Sequence, residues 1–228
     1  MNQEELIKEY AKCYSNTSYA IETYLETYDN TQSKYVPFKL FPEQEMMLNN
    51  FDKYNDNITK KYRQAGVSTA TAAWVSKTLQ FASKKQPEKI LIIANKLDTA
   101  EVKAVATSVD ALRGYTPTAL IFDEAAYIEA GEDFWAASMA SLSTGGKVIV
   151  ISTPNGHDKI YYEIYEQAVK GLNNFHISEL HWYKDPRFTK DLFWVKCKDI
   201  VQYLLNQEDY DSNLITQETD HDKFDYLL

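Results

Sequence analysis

A chain of 228 residues, 44% hydrophobic and 25% charged, is long enough for one sizeable core or one core with a small appendage. Its formal net charge of −9 argues against a protein that coats nucleic acid by bulk electrostatics, leaving only a local patch or a partner's grip for such contacts. No apolar run approaches the roughly 20 residues of a membrane span, and the acidic start Met1-Asn2-Gln3-Glu4-Glu5 is not a secretory signal. Cys13 and Cys197, far apart and without ligand-like neighbours, read as free thiols of a reducing compartment.

Taken in chain order, the spacing of Leu6, Ile7, Tyr10, Tyr14, Ile21 and Leu25 predicts one or two amphipathic helices, an N-terminal arm or lid over 1–36. After Pro42, residues 43–51 read as a short helix. A weak strand at 58–62 runs into Arg63-Gln64-Ala65-Gly66-Val67-Ser68-Thr69, and an Ala-rich helix follows over 69–82. Residues 89–94, 119–122 and 147–151 are continuous apolar strands, the pattern of a parallel sheet covered on both faces. Helices at 134–142 and 160–169 would supply the cover, and 175–180 is a further strand candidate. Alternating strands and helices predict an α/β three-layer fold over 37–186, with a polar helical tail over 187–228.

Two motifs carry chemistry. The loop 63–69 lies between a strand and a helix, where backbone N–H groups can wrap phosphates at a helix N-terminus. Gly66 permits close backbone approach, and Ser68 stands where a phosphate-loop hydroxyl holds Mg²⁺. Against the usual G-x-x-x-x-G-K-[ST] pattern, Lys61 takes the first glycine position and Val67 the lysine position. Either Lys61 or Arg63 could then curl back onto the β/γ-phosphates.

The stronger signal is Leu120-Ile121-Phe122-Asp123-Glu124, a buried strand that delivers two carboxylates to its C-terminal end. Asp123 would hold Mg²⁺ and Glu124 would activate water. The alternative is an ordinary helix cap by Asp123, which leaves the second carboxylate unexplained. A third strand ends in Ser152-Thr153-Pro154-Asn155-Gly156, either a simple Pro-Asn-Gly turn or a γ-phosphate sensor. Together these features predict an α/β P-loop NTPase of RecA/ASCE-like type, with a mainly parallel sheet flanked by helices.

In motif order, residues 38–186 resemble the ATPase domain of tailed-bacteriophage large terminase subunits, which package DNA. Phe38-Lys39-Leu40-Phe41-Pro42-Glu43-Gln44 is similar to the family's adenine-side motif, and the resemblance implies Gln44 as the adenine reader. Residues 63–69 resemble its variant Walker A, with the lysine placed early as Lys61 is. Lys61, Arg63, Gln64, Ala65, Gly66, Val67, Ser68 and Thr69 would hold phosphates, and Ser68 with Asp123 the Mg²⁺. Residues 92–96 resemble the strand after the Walker A helix. Ile121-Phe122-Asp123-Glu124-Ala125-Ala126 resembles Walker B, and 152–156 the coupling motif, implying roles for Thr153 and Asn155. His181-Trp182 and Asp185-Pro186 look like the segment that closes the domain. Arg113 is either the family's trans-acting arginine or a surface residue of an Arg-Gly turn.

The resemblance implies Mg²⁺-dependent ATP hydrolysis powering DNA packaging in the host cytoplasm. The implied partners are double-stranded DNA, a portal, a small terminase subunit and copies of the chain in a ring, with no membrane. Two departures stand out. The connection near 98–103 is shorter than in the family, and the scattered Asp209, Asp211, Asp220, Asp222 and Asp225 read as solvated charge, so no nuclease activity is expected. Rival expectations are a non-catalytic or weakly nucleotide-binding module, and a helicase-like nucleic-acid ATPase.

Overall fold

The computed structural model describes residues 2–29, 31–94, 104–105, 116–128, 132–156, 160–188, 194–195, 215–216 and 226–227. Residues 1–180 and 181–228 form two compact units. The first opens with α1 (Gln3–Ser15), started by a reciprocal capping box in which Asn2 and Glu5 each accept the other's backbone N–H. α2 (Thr17–Tyr24) is capped by Asn16, and β1 (Glu26–Asp29) and β2 (Lys34–Pro37) form an antiparallel hairpin. The reading of 1–36 as purely helical misses this hairpin. Its turn is organised by Asp29, whose carboxylate accepts from Thr31 and Gln32 and is held at a pKa of about 2 by those bonds. Ile21 of α2 is fully buried in the main core, while Leu6, Ile7, Tyr10 and Tyr14 of α1 remain exposed.

The remaining elements are α3 (Pro42–Lys53), β3 (Asp56–Lys60), α4 (Val67–Gln80), β4 (Ile90–Ala94), β5 (Ala104–Val105), β6 (Ala119–Asp123), α5 (Glu132–Ser141), β7 (Lys147–Ser152), α6 (Ile160–Val169) and β8 (His176–Glu179). Six strands make one sheet in the order β5-β4-β6-β7-β3-β8, and every pairing is parallel. Because side chains alternate across a strand, each apolar run feeds two cores. Ile121, Ile149 and Ile151 pack with Ile21, Met47, Phe51 and Trp74 from α2, α3 and α4. Leu120, Phe122, Val148 and Val150 pack with Phe134, Tyr161 and Ile164 from α5 and α6. Helices on both faces explain why these strands read as continuous apolar runs.

In the second unit, a 3-10 turn at Trp182–Lys184 precedes an Asp185 carboxylate that pairs with Arg187. Beyond it, β9 (Trp194–Val195) pairs antiparallel with β10 (Ile215–Thr216) and β11 (Tyr226–Leu227). Of the described residues of the expected helical tail, Arg187 and Phe188 lie in a turn and the rest are strands, each built on an aromatic or β-branched residue that suits a pleated surface. The core unit ends at Leu180, ahead of the expected boundary after Pro186.

Candidate functional site

The C-terminal tips of β3, β7 and β6 lie side by side, since those strands are consecutive in the sheet. In register, Lys60 stands beside Ser152, and Ile151 beside Asp123. Segments separate in sequence thus meet at the edge where parallel sheets bind ligands.

The loop after β3 bends through two left-handed residues, Gln64 at φ 62° and Gly66 at φ 68°. Left-handed residues in a short run turn successive backbone N–H groups toward one side, an anion-binding concavity. Gly66 also precedes α4 without any side-chain cap on that helix, so the first-turn N–H groups are not spoken for by a cap. Ala65 and Val67 are buried and pin the loop to the core, whereas Arg63, Gln64, Ser68 and Thr69 are exposed. Val67, at the usual lysine position, packs its side chain among apolar neighbours, so only its backbone N–H can serve as a phosphate ligand.

Lys61 supplies the buried cation. It is 7% exposed, and its Nζ donates to Glu124 Oε1 at 2.7 Å and to Thr153 Oγ1 at 3.4 Å. The Glu124 side chain is 40% exposed, so the pair is buried on the lysine side and open on the carboxylate side. Ser68 Oγ donates to Asp123 Oδ2 at 2.7 Å. Asp123 Oδ1 accepts the Glu124 N–H at 3.0 Å, rather than capping a helix. Glu124 itself holds a left-handed backbone (φ 54°, ψ 42°), a strained state for a non-glycine residue. A 3-10 turn over Ala125–Tyr127 follows.

That turn is held from the third tip. Ser152 Oγ accepts the Ala126 N–H at 3.0 Å, and Asn155 Nδ2 reaches the Ala126 carbonyl at 3.4 Å. Ser152 is fully buried and also donates to the Thr153 carbonyl. Residue type places Ser152 at a strand tip, but nothing local in the sequence names the Ala126 N–H as its partner. Tyr161 of α6 donates to the Thr59 carbonyl at 3.1 Å, tying α6 to β3.

Gln44 does not present an adenine-reading face. It is 4% exposed, with Oε1 accepting the Phe41 N–H at 3.1 Å and Nε2 donating to the Ala65 carbonyl at 2.8 Å. Arg113, the Asn95-Lys96 segment and the whole 98–103 connection lie outside the described residues.

A Mg²⁺ ion fits this donor set. Ser68 Oγ and the Asp123 carboxylate offer hard oxygens side by side, and Mg²⁺ takes few protein ligands because waters and phosphate oxygens complete its shell. Among the described residues no group of three or more His, Cys, Asp or Glu could hold a metal by itself, which disfavours a zinc-type cage there.

No protein-family model matches the chain. By structure, the chain is similar to a mutant of the Thermus phage P74-26 large terminase ATPase domain, with TM-score 0.50 and 18% identity over 64% of this chain and 83% of that one. It is similar also to the HK97 bacteriophage large terminase, with TM-score 0.50 and 15% identity over 72% of this chain and 42% of that one. A large terminase from a thermophilic bacteriophage matches at TM-score 0.47 and 15% identity, over 62% of this chain and 46% of that one. The chain thus spans about half the length of the large terminases it matches. At these identities the likeness establishes the fold, and the chain has the α/β fold of P-loop nucleotide hydrolases.

Proposed function

We propose that this chain is the ATPase domain of a phage large terminase and hydrolyses ATP with Mg²⁺ to drive DNA packaging. One observation carries the reading. Two residues of the β3–α4 loop region meet the two carboxylates of the β6 tip, Lys61 with Glu124 and Ser68 with Asp123, each at 2.7 Å. A cation, a hydroxyl, a metal-type carboxylate and a base-type carboxylate around one uncapped helix N-terminus are the parts phosphoryl transfer needs.

In this reading the backbone from Arg63 through Gly66, with Thr69, cradles the phosphates. Lys61 exchanges Glu124 for the γ-phosphate, and Arg63, exposed at the loop, adds a second cation. Once released, Glu124 orients and deprotonates the attacking water. Mg²⁺ held by Ser68 and Asp123 would neutralise charge on the phosphate oxygens. Thr153 senses the γ-phosphate through Lys61, and Asn155 passes the shift to the turn behind Glu124. Arg113 would act on the nucleotide of a neighbouring copy in a ring. Double-stranded DNA, a portal and a small terminase subunit would complete the motor in the host cytoplasm.

A second reading, nucleotide binding without turnover, draws on Val67 at the lysine position. Steady-state phosphate release from MgATP separates the two. Glu124→Gln is expected to slow release on the order of 10²–10⁴-fold while nucleotide binding persists. Equal, background-level release by wild type and variant would overturn the hydrolytic reading.

A further inference from the structure

Gln44 stands where a nucleotide-binding reading expects a contact with the base, yet its geometry serves the phosphates. It lies in the first turn of α3, and its Oε1 reaches back to the Phe41 N–H at the start of that helix. Its Nε2 donates to the Ala65 carbonyl at 2.8 Å. The amide orientation follows from its partners, since only the oxygen can face an N–H and only the nitrogen a carbonyl. At 4% exposure the carboxamide offers no open edge to a ligand.

The Ala65 carbonyl belongs to the same planar trans peptide as the Gly66 N–H, and in such a peptide the two groups point opposite ways. Holding the carbonyl toward Gln44 therefore aims the Gly66 N–H away from Gln44, within the loop that the left-handed residues Gln64 and Gly66 bend. The Gly66 position is matched to this strut. A Cβ there would sit 2.8 Å from Gln44 Nε2, so any side chain would push the amide off Ala65.

We propose that Gln44 is a positioning residue of the phosphate loop, setting affinity for the polyphosphate and leaving the base unread. The inference rests on the proposed nucleotide reading of that loop. It predicts that losing the strut weakens every polyphosphate equally, whatever base it carries.

The test is calorimetric titration of the full chain with MgATP, MgGTP and base-free magnesium tripolyphosphate. Gln44→Met, similar in length but without polar atoms, loses the bonds to Phe41 and Ala65 and is expected to raise all three dissociation constants by one common factor of about fivefold, the scale of the one bond that holds the loop. The GTP-to-ATP ratio stays at its wild-type value. Gln44→Glu keeps the acceptor for Phe41 but can donate to Ala65 only when protonated. Its carboxylate, ionised at pH 7.5, should therefore weaken all three ligands by a common factor, as Gln44→Met does, with the GTP-to-ATP ratio unchanged. A Gln44→Met protein that loses ATP preference while binding tripolyphosphate normally would overturn the inference and make Gln44 a base reader. If Gln44→Met fails to fold, Gln44→Glu decides alone: a common loss across the three ligands supports the strut, and a lost ATP preference with normal tripolyphosphate binding sinks it. Failure of wild type to bind any of the three ligands would instead overturn the phosphate-loop reading, and the inference with it.

Discussion

The two ends of the parallel sheet each hold a partly or fully buried lysine, and the two are satisfied in opposite ways. At the C-terminal end, Lys61 is bonded by side chains, the Glu124 carboxylate and the Thr153 hydroxyl. At the N-terminal end, Lys147 is bonded by backbone, donating to the Asp52 and Tyr54 carbonyls at 3.3 and 3.0 Å. Those carbonyls close the C-terminal turn of α3, so Lys147 caps a helix dipole. Side-chain partners can rotate away and yield to a ligand's oxygens, whereas backbone carbonyls of a packed helix cannot. A buried cation is thus exchangeable at one end and structural at the other. Cavity size does not make this distinction. A cleft of about 500 Å³, lined in part by Asp52, Trp74, Lys77, Phe81 and Lys147, opens at the structural end. There the Asp52 carboxylate is already engaged by the Trp74 indole and the Thr17 hydroxyl.

Substituting the two lysines tests the contrast most sharply. Lys61→Met should reduce ATP turnover by on the order of 10²–10³-fold, the scale of one lost electrostatic contact to the transition state. Its melting temperature should hold or rise, because an apolar side chain replaces a buried charge whose partner stays solvated. A Lys61→Met protein with wild-type turnover would break the comparison at its functional end. Gly66→Ala comes next. The left-handed φ of 68° and the encounter with Gln44 should together cost about 1–2 kcal/mol in chemical denaturation and weaken nucleotide binding as well.

Lys147→Met should do the reverse of Lys61→Met, lowering stability by about 1 kcal/mol through lost hydrogen bonds while turnover is unchanged. Loss of turnover in that variant would show the two ends to be coupled. The smallest effect falls on His176 at the start of β8, which stacks on Tyr54 at 3.8 Å. Burial, and then the charge of Lys53, lower its pKa in the fold. As pH falls through about 6.5, the unfolded chain takes up a proton that the folded chain resists, so stability declines below that pH. In urea titrations across pH 7 to 5, His176→Phe should keep the stack and show a shallower decline than wild type.

The elements that the sequence made legible share one physical property, an apolar pattern strong enough to survive any packing. β4, β6 and β7 are uninterrupted apolar runs, and the whole of α6 follows from the apolar and aromatic residues in 160–169. β3 is faint because two of its buried positions are Asn57 and Thr59, polar residues tolerated in a strand that is nonetheless interior to the sheet. The β1–β2 hairpin hides among tyrosines and threonines that also fit a helix face. β9, β10 and β11, two residues each, are too short to leave a period at all. The site was legible in its parts: Asp123, Glu124, Gly66 and Ser68 are marked by residue type at the ends of recognisable elements. Ser152 and the inward turn of Gln44 were not, because nothing local says which neighbour each will meet.

What the sequence determined by itself is local chemistry. Apolar strands ending in carboxylates and hydroxyls, and a glycine before a helix, decide which groups can act and that they lie at element tips. Tertiary structure decided which of those groups act on one another. Only the strand order β6-β7-β3 brings Lys61 to Glu124 and Ser152 to the turn behind it, and only the packing of α3 under the phosphate loop turns Gln44 toward Ala65. The reason is that a tip's composition depends on a few adjacent residues, whereas its partners depend on the pairing of strands far apart along the chain.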